Sequence, residues 1–140
     1  MVSRNMAAYR RLHDQADFEN DLNGDRSHQA MLAAFTDDFE IVEPASLPHG
    51  GSYKGLEEWA RMSAKMKSIW DQSVKPTRVL DVPEHDLIVL CTDMEWTAKA
   101  TGKTVRFPAV ELLHFRDGQI CRVEIFPSDT KAILDTLEAD

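Results

Sequence analysis

Two glutamates stand where a carboxylate is costly. If residues 104–116 form a strand, one face carries Val105, Phe107, Ala109, Glu111, Leu113 and Phe115, because side chains two apart share a face. Glu111 is then the lone ionisable group in an apolar row. A shorter alternating run repeats the pattern, with Phe39, Ile41 and Glu43 on one face and Pro44 ending the strand. A carboxylate in such surroundings loses hydration, so its neutral form is favoured unless a cation or hydrogen-bond donor compensates. Two chemical uses follow. A neutral acid can donate a hydrogen bond, and an ionised one can serve as a base tuned towards the working pH. The competing expectation is structural, with each carboxylate locked in an ion pair with Arg78, Arg106 or Arg122.

Further polar candidates lie near the start of the chain. Tyr9, His13 and Asp17 are spaced four apart, which places them on one helical face. A His13–Asp17 pair could act as a general base with its orienting partner, or stand as an ordinary solvated helical pair. Met62 and Met66 share a helix face and could line a pocket as readily as fill a core. Trp59, Trp70 and Trp96 are expected in the core or the pocket wall. His28, His49, His85 and His114 show no ligand spacing, so no metal is expected. Cys91 and Cys121 form no CxxC, lie in strand-like runs and are expected as buried, reduced thiols.

The elements that must position these groups follow from periodicity and punctuation. The spacing predicts a first helix over residues 4–22, closed by Asn23-Gly24-Asp25, and a second running to about Phe35. Thr36-Asp37-Asp38 reads as a break before a short strand, Phe39–Glu43. The segment 45–55, punctuated by Pro48, Gly50-Gly51 and Gly55, reads as a loop with a few paired residues near Ser52–Lys54. A third helix follows, carrying Leu56, Trp59, Met62 and Met66 and ending near Trp70. Four strand-like runs come next, Val74–Val82, Asp86–Ala98, Thr104–Arg116 and Gln119–Phe126, with Asp117-Gly118 as the strongest hairpin signal. A final helix spans Asp129 to about Glu138. Helices first and a strand meander afterwards predict an α+β fold, with helices on one face of an antiparallel sheet of about six strands.

The balance of charge limits the partners. A formal net charge of −8 opposes binding to nucleic acid, whose phosphates need a basic surface, and to anionic membranes. No apolar stretch approaches the length of a membrane span, and the first residues do not read as a signal peptide. The expectation is therefore one cytoplasmic domain over residues 1–140, of a size that can bury a sizeable core.

Taken in order, several short motifs resemble one known group. They are Asn23-Gly24-Asp25, Ala34-Phe35-Thr36-Asp37-Asp38, Val42-Glu43-Pro44, Tyr53-Lys54-Gly55, Phe115-Arg116-Asp117-Gly118-Gln119-Ile120 and Phe126-Pro127-Ser128-Asp129-Thr130. The ordered set resembles the nuclear transport factor 2-like superfamily, in its ketosteroid isomerase and SnoaL-like polyketide cyclase branch. The resemblance implies a cone: a strongly bent sheet closed by three helices around an apolar pocket, often paired as a homodimer through the outer face. It implies Glu43 as the general base and Glu111 as the protonated acid that stabilises an enolate oxygen, as in ketosteroid isomerase. The isomerase has a second donor, a Tyr, seven residues before the glycine of its turn. Here that position is Asp17, and an ionised Asp cannot donate. Cyclases of this branch also use an acid near Asp129, which reads more readily as a helix cap because Ser128-Asp129-Thr130 opens the final helix.

The expected activity is that of a cofactor-independent enzyme acting on a small, largely apolar carbonyl or polyketide-like compound. The step would be proton abstraction next to the carbonyl, in an isomerase, cyclase or dehydratase. Glu43 and Glu111 would be the catalytic pair, with His13 and Asp17 as an auxiliary dyad and Tyr9, Trp59, Met62, Met66, Phe107 and Phe115 around the ligand. The other expectation is a non-catalytic ligand-binding or dimerisation module. A homodimer is expected on the ground that Ile88, Leu90, Met94 and Trp96 form an outward apolar face.

Overall fold

The computed structural model describes residues 2–15 and 25–140. Two helices come first, α1 (Arg4–Gln15) and α2 (Asp25–Ala34), and the chain then enters β1 (Phe35–Glu43). After β2 (Gly51–Lys54) and α3 (Gly55–Ile69) come four long strands: β3 (Trp70–Val82), β4 (Leu87–Ala98), β5 (Thr104–Arg116) and β6 (Gln119–Pro127). A short helix, α4 (Thr130–Asp135), follows, and the side chain of Asp129 caps it by accepting from the Ala132 N–H. The expected continuation of α1 to residue 22 and the Asn23-Gly24 turn lie outside the described residues.

The six strands form one open, curved sheet in the order β2-β1-β6-β5-β4-β3. The sheet is mixed, where an antiparallel one was expected. β1 runs parallel to β6, and the other neighbours are antiparallel. A meander alone would give only antiparallel pairs. The parallel pair arises because β1, separated from the meander by α3, docks on the free edge of the last strand. α1, α2 and α3 pack on the concave side, α3 against β1, β2 and β3. Register irregularities in β1, β3 and β6 mark bulges, where a strand bends.

Three boundaries differ from the sequence reading. Thr36-Asp37-Asp38 belongs to β1 and is not a break; the pairing with β6 jumps between Phe35 and Glu40, so these polar residues occupy the bulge. β3 starts at Trp70, four residues before Val74, and its polar start Asp71-Gln72-Ser73 pairs with Thr97, Trp96 and Glu95 along the sheet edge. α4 ends at Asp135, and the chain beyond it continues as tight turns through Thr136, Leu137 and Glu138.

A larger correction concerns β4. Ile88, Leu90, Met94 and Trp96 are buried on the concave side and do not face outward. Register decides this, because Leu90 is opposite Glu111 and Met94 opposite Phe107, and opposed residues share a face. The convex face instead carries the rows Arg78–Cys91–Val110–Phe126 and Leu80–Val89–Leu112–Glu124. Cys91 and Cys121 are free thiols but half-buried rather than buried.

Candidate functional site

The core splits into two packed regions with a cavity between them. Phe35, Phe39 and Trp59 form one aromatic cluster beneath α3, and Trp70, Trp96 and Phe107 form another towards α4. The cavity measures about 90 Å³, and its apolar wall includes Trp59, Met62, Met66, Met94, Leu113 and Ile125. Glu43, Glu111, Gln72 and Trp96 bring polar atoms to it, and among the described residues no Lys or Arg lines it.

Register explains why both glutamates reach the same space. Leu90, Glu111 and Ile125 are opposite one another across β4, β5 and β6. In the parallel pair Val42 is opposite Glu124, so Glu43 stands beside Ile125. Glu43 and Glu111 therefore occupy one inward row with a single strand between them, their backbones roughly 10 Å apart by two strand spacings. Glu43 is only 5% exposed, and Glu111 is half-buried. Of the arginines expected as structural partners, two pair with other carboxylates. Arg106 pairs with Glu95, and Arg122 pairs with Glu40 and approaches Glu124.

Glu43 instead meets a residue that sequence reasoning passed over. His49 Nε2 lies 3.6 Å from Glu43 Oε2, and the imidazole is fully buried. Neither ring nitrogen has a hydrogen-bond partner. Trp70 meets the ring at 5.8 Å and 82°, and Trp96 at 5.9 Å and 49°. The segment between the two residues folds back on itself. Pro44 C=O accepts from Leu47 N–H at 3.1 Å, and Leu47 C=O accepts from Gly50 N–H at 2.8 Å. Tyr53 Oη then donates to the His49 carbonyl at 2.8 Å, beyond which it also reaches that of Gly50. Metal-ligand spacing was the wrong filter for this histidine. The informative signal was a His held between prolines and glycines six residues after a candidate acid.

Trp96 adds a second unmet polar group. It is 4% exposed, it lines the cavity, and its indole N–H has no acceptor. Trp59, Met62 and Met66 line the cavity, whereas Tyr9, Phe107 and Phe115 are packed in the core outside its lining. His13 is exposed on α1, where its ring stacks on Tyr9 at 6.0 Å, and it is not part of the cavity wall. Asp17 lies outside the described residues. Among the described residues no group of three or more His, Cys, Asp or Glu is placed to hold a metal ion, and no helix is long and apolar enough to cross a membrane.

The comparisons with known proteins agree with this architecture. The family model described as SnoaL-like domain matches residues 11–123. No curated protein matches the chain. An NTF2-like protein of unknown function from Burkholderia pseudomallei is similar at 20% identity over 99% of this chain and 100% of that one, with a TM-score of 0.79. A protein named as a SnoaL-like polyketide cyclase from Jannaschia sp. is 19% identical over 98% of this chain and 93% of its own, with a TM-score of 0.77. A protein with a ketosteroid isomerase-like fold from Catenulispora acidiphila, in complex with trimethylamine, is 16% identical over 91% and 93%, with a TM-score of 0.70. At these identities the likeness to the solved structures is one of fold.

Proposed function

From the membership of this chain in the SnoaL-like domain family, we propose that it is a cofactor-independent enzyme that removes a proton next to the carbonyl of a small, largely apolar or polyketide-like compound. The observation that carries the reading is the shared inward row, which brings Glu43 and Glu111 to one cavity. Glu43 is the base. As it takes the proton, charge develops on the carbonyl oxygen, and preorganised donors in a dry site are the largest single source of stabilisation for such a charge. A protonated Glu111 supplies one donor. The unpartnered Trp96 N–H supplies a second, in place of the tyrosine that this sequence lacks. Isomerisation, cyclisation and dehydration all begin from the resulting enolate.

The test is a screen of small cyclic enones and polyketide-like ketones, followed by Glu43→Gln. The amide keeps the shape of the carboxylate but cannot take a proton, so turnover should fall by about 10²- to 10⁴-fold. Full turnover in that variant would end the assignment of Glu43. His13, exposed and outside the cavity wall, has an auxiliary role at most in this reading.

A second reading, a binding module without turnover, is favoured by a wall that brings two carboxylates and two tryptophans together and, among the described residues, holds no Lys or Arg. Such a wall suits a small organic cation, which aromatic faces and carboxylates both attract, and one similar structure is a complex with trimethylamine. Calorimetry with trimethylamine and with neutral tert-butanol separates the readings: tight, amine-selective binding with no turnover of any ketone supports the module. A homodimer through the convex face, and a cytoplasmic location in keeping with two free thiols, complete the proposal.

A further inference from the structure

We propose that His49 is a positioning residue for Glu43, its Nε2–H directed at Glu43 Oε2 so that imidazole and carboxylate act as one oriented unit at the cavity wall. The functional part of this inference rests on the reading of Glu43 as the base; the structural part does not.

Three observations meet at this pair. First, a fully buried imidazole with two unpartnered nitrogens is expensive, because a buried polar group without a hydrogen bond loses its hydration for nothing. Among the described residues the polar side chain paired with it is Glu43, at 3.6 Å, a few tenths of an ångström beyond a good N–H···O contact. A proton on Nε2 and a small approach turn that cost into a charge-assisted hydrogen bond. A proton on Nδ1 instead would set the Nε2 lone pair against a carboxylate oxygen.

Second, the ring has little freedom to do anything else. Trp70 stands nearly perpendicular to it, and Trp96 tilts over it, each within 6 Å by ring centre. Trp70 is itself fixed by its indole N–H, which donates to Thr136 Oγ at 2.9 Å. The carboxylate oxygen engaged by such a ring stays in one place, and the other is left for a ligand.

Third, the backbone between the two residues is built for closeness. A Cβ on Gly50 would lie 2.2 Å from the Pro44 carbonyl oxygen and 2.9 Å from two backbone atoms of Ala45. No other residue type fits there without opening the loop, and that loop carries His49 back to the residue before Pro44. The neighbouring Gly51 has nothing within 4 Å of its would-be Cβ, so the tight approach is particular to position 50. Among the described residues the other ionisable group lining the cavity is Glu111 on β5; β3 and β4 present Trp70 and Trp96 to the ring.

The role is one of geometry. A general base misplaced by about 1 Å can cost on the order of 10²-fold in rate. A donor held behind the carboxylate prevents that misplacement without touching the substrate.

The first test needs no ligand. Histidine-labelled protein at neutral pH is examined by long-range proton–nitrogen NMR. His49 is expected to carry its proton on Nε2, with that proton protected from exchange. Glu43→Gln should move the proton signal upfield, and Gly50→Ala, which alters neither side chain, should remove its protection. A proton resident on Nδ1, or an Nε2–H signal indifferent to both substitutions, overturns the inference whatever becomes of Glu43 as a base. The second test uses the ketone or enone found in the screen. His49→Phe keeps a ring between the tryptophans but donates nothing, and should lower kcat by about 10- to 100-fold with KM little changed. His49→Gln returns an N–H donor and should recover most of that loss. Equal loss in both variants, or loss in neither, also overturns the inference. Should His49→Phe fail to fold, the NMR measurement on the unaltered protein still decides.

Discussion

Glu43→Gln should make this protein inactive without making it less stable. Glu43 and Glu111 are two strands apart in one row, roughly 10 Å by strand spacing. At an effective dielectric near 20, two unit charges at that distance repel by about 1.7 kcal/mol. Glu111 is half-buried, so solvent screening brings the figure nearer to about 1 kcal/mol. The repulsion acts only where both carboxylates are charged, so about 1 kcal/mol is the most that removing the charge at position 43 can return. The amide oxygen of Gln can still accept from His49 Nε2–H, so that contact costs little. At neutral pH the variant should melt no lower than the unaltered protein and at most about 3–4 °C higher. Calorimetric melting at neutral pH checks this. A variant destabilised at neutral pH would refute the reasoning, because Glu43 would then be the stabilising partner of a charged histidine and the pair would be structural.

Trp70→Phe removes a fully buried indole and its hydrogen bond to Thr136, and thermal unfolding should report a loss of about 2–3 kcal/mol. Phe126 is 51% exposed and Val110 36% exposed on adjoining strands of the convex face. Sedimentation should show a dimer that Phe126→Glu with Val110→Lys dissociates; a concentration-independent mass near 15.9 kDa for the unaltered chain would exclude it. The Arg116 guanidinium holds the Asp38 carboxyl below its usual range. Whatever this exposed pair adds is present at neutral pH and lost as pH falls through that lowered value; Arg116→Ala should leave the neutral-pH melting temperature within error, and a large drop would show that the pair anchors β1.

The sequence revealed the strands wherever one alternating run was bounded by a turn residue. β5 was legible at both ends because Ala100-Thr101-Gly102-Lys103 and Asp117-Gly118 bracket it as turns and its inward face alternates from Val105 to Phe115. Glu111 was found on that basis alone. What could not be read locally was pairing. Whether Leu90 faces in or out depends on its being opposite Glu111, a relation between residues in two strands that the pattern of β4 by itself leaves undecided. The parallel docking of β1 on β6 is likewise a contact across most of the chain. The bulge at Thr36-Asp37-Asp38 hid the start of β1 because an inserted residue breaks the alternation used to detect a strand. His49 was missed for a related reason. Its partner is six residues away through a folded-back loop, a spacing with no helical or strand periodicity to flag it.

The size of the cavity bears on which substrate such a site could take. About 90 Å³ is less than the ~150 Å³ in which an engineered apolar cavity holds a benzene ring. A cyclic ketone must therefore make room, and the wall contains the side chains best able to yield. Met62, Met66 and Met94 line it, and an unbranched thioether can change rotamer at small cost. The polar end has no such freedom. Glu43 ends a paired strand, His49 is wedged between tryptophans, and Glu111 sits mid-strand opposite Ile125 and Leu90. Adaptable walls facing a rigid pair of carboxylates would let the site accept several apolar frameworks while presenting the same few atoms to each carbonyl. Replacing Met62 and Met66 by isoleucine, stiff at χ1, should thus narrow the range of ketones turned over and leave the rate on the smallest nearly unchanged. An equal loss across ketones of every size would mean that the methionines act through the fold and not through the fit.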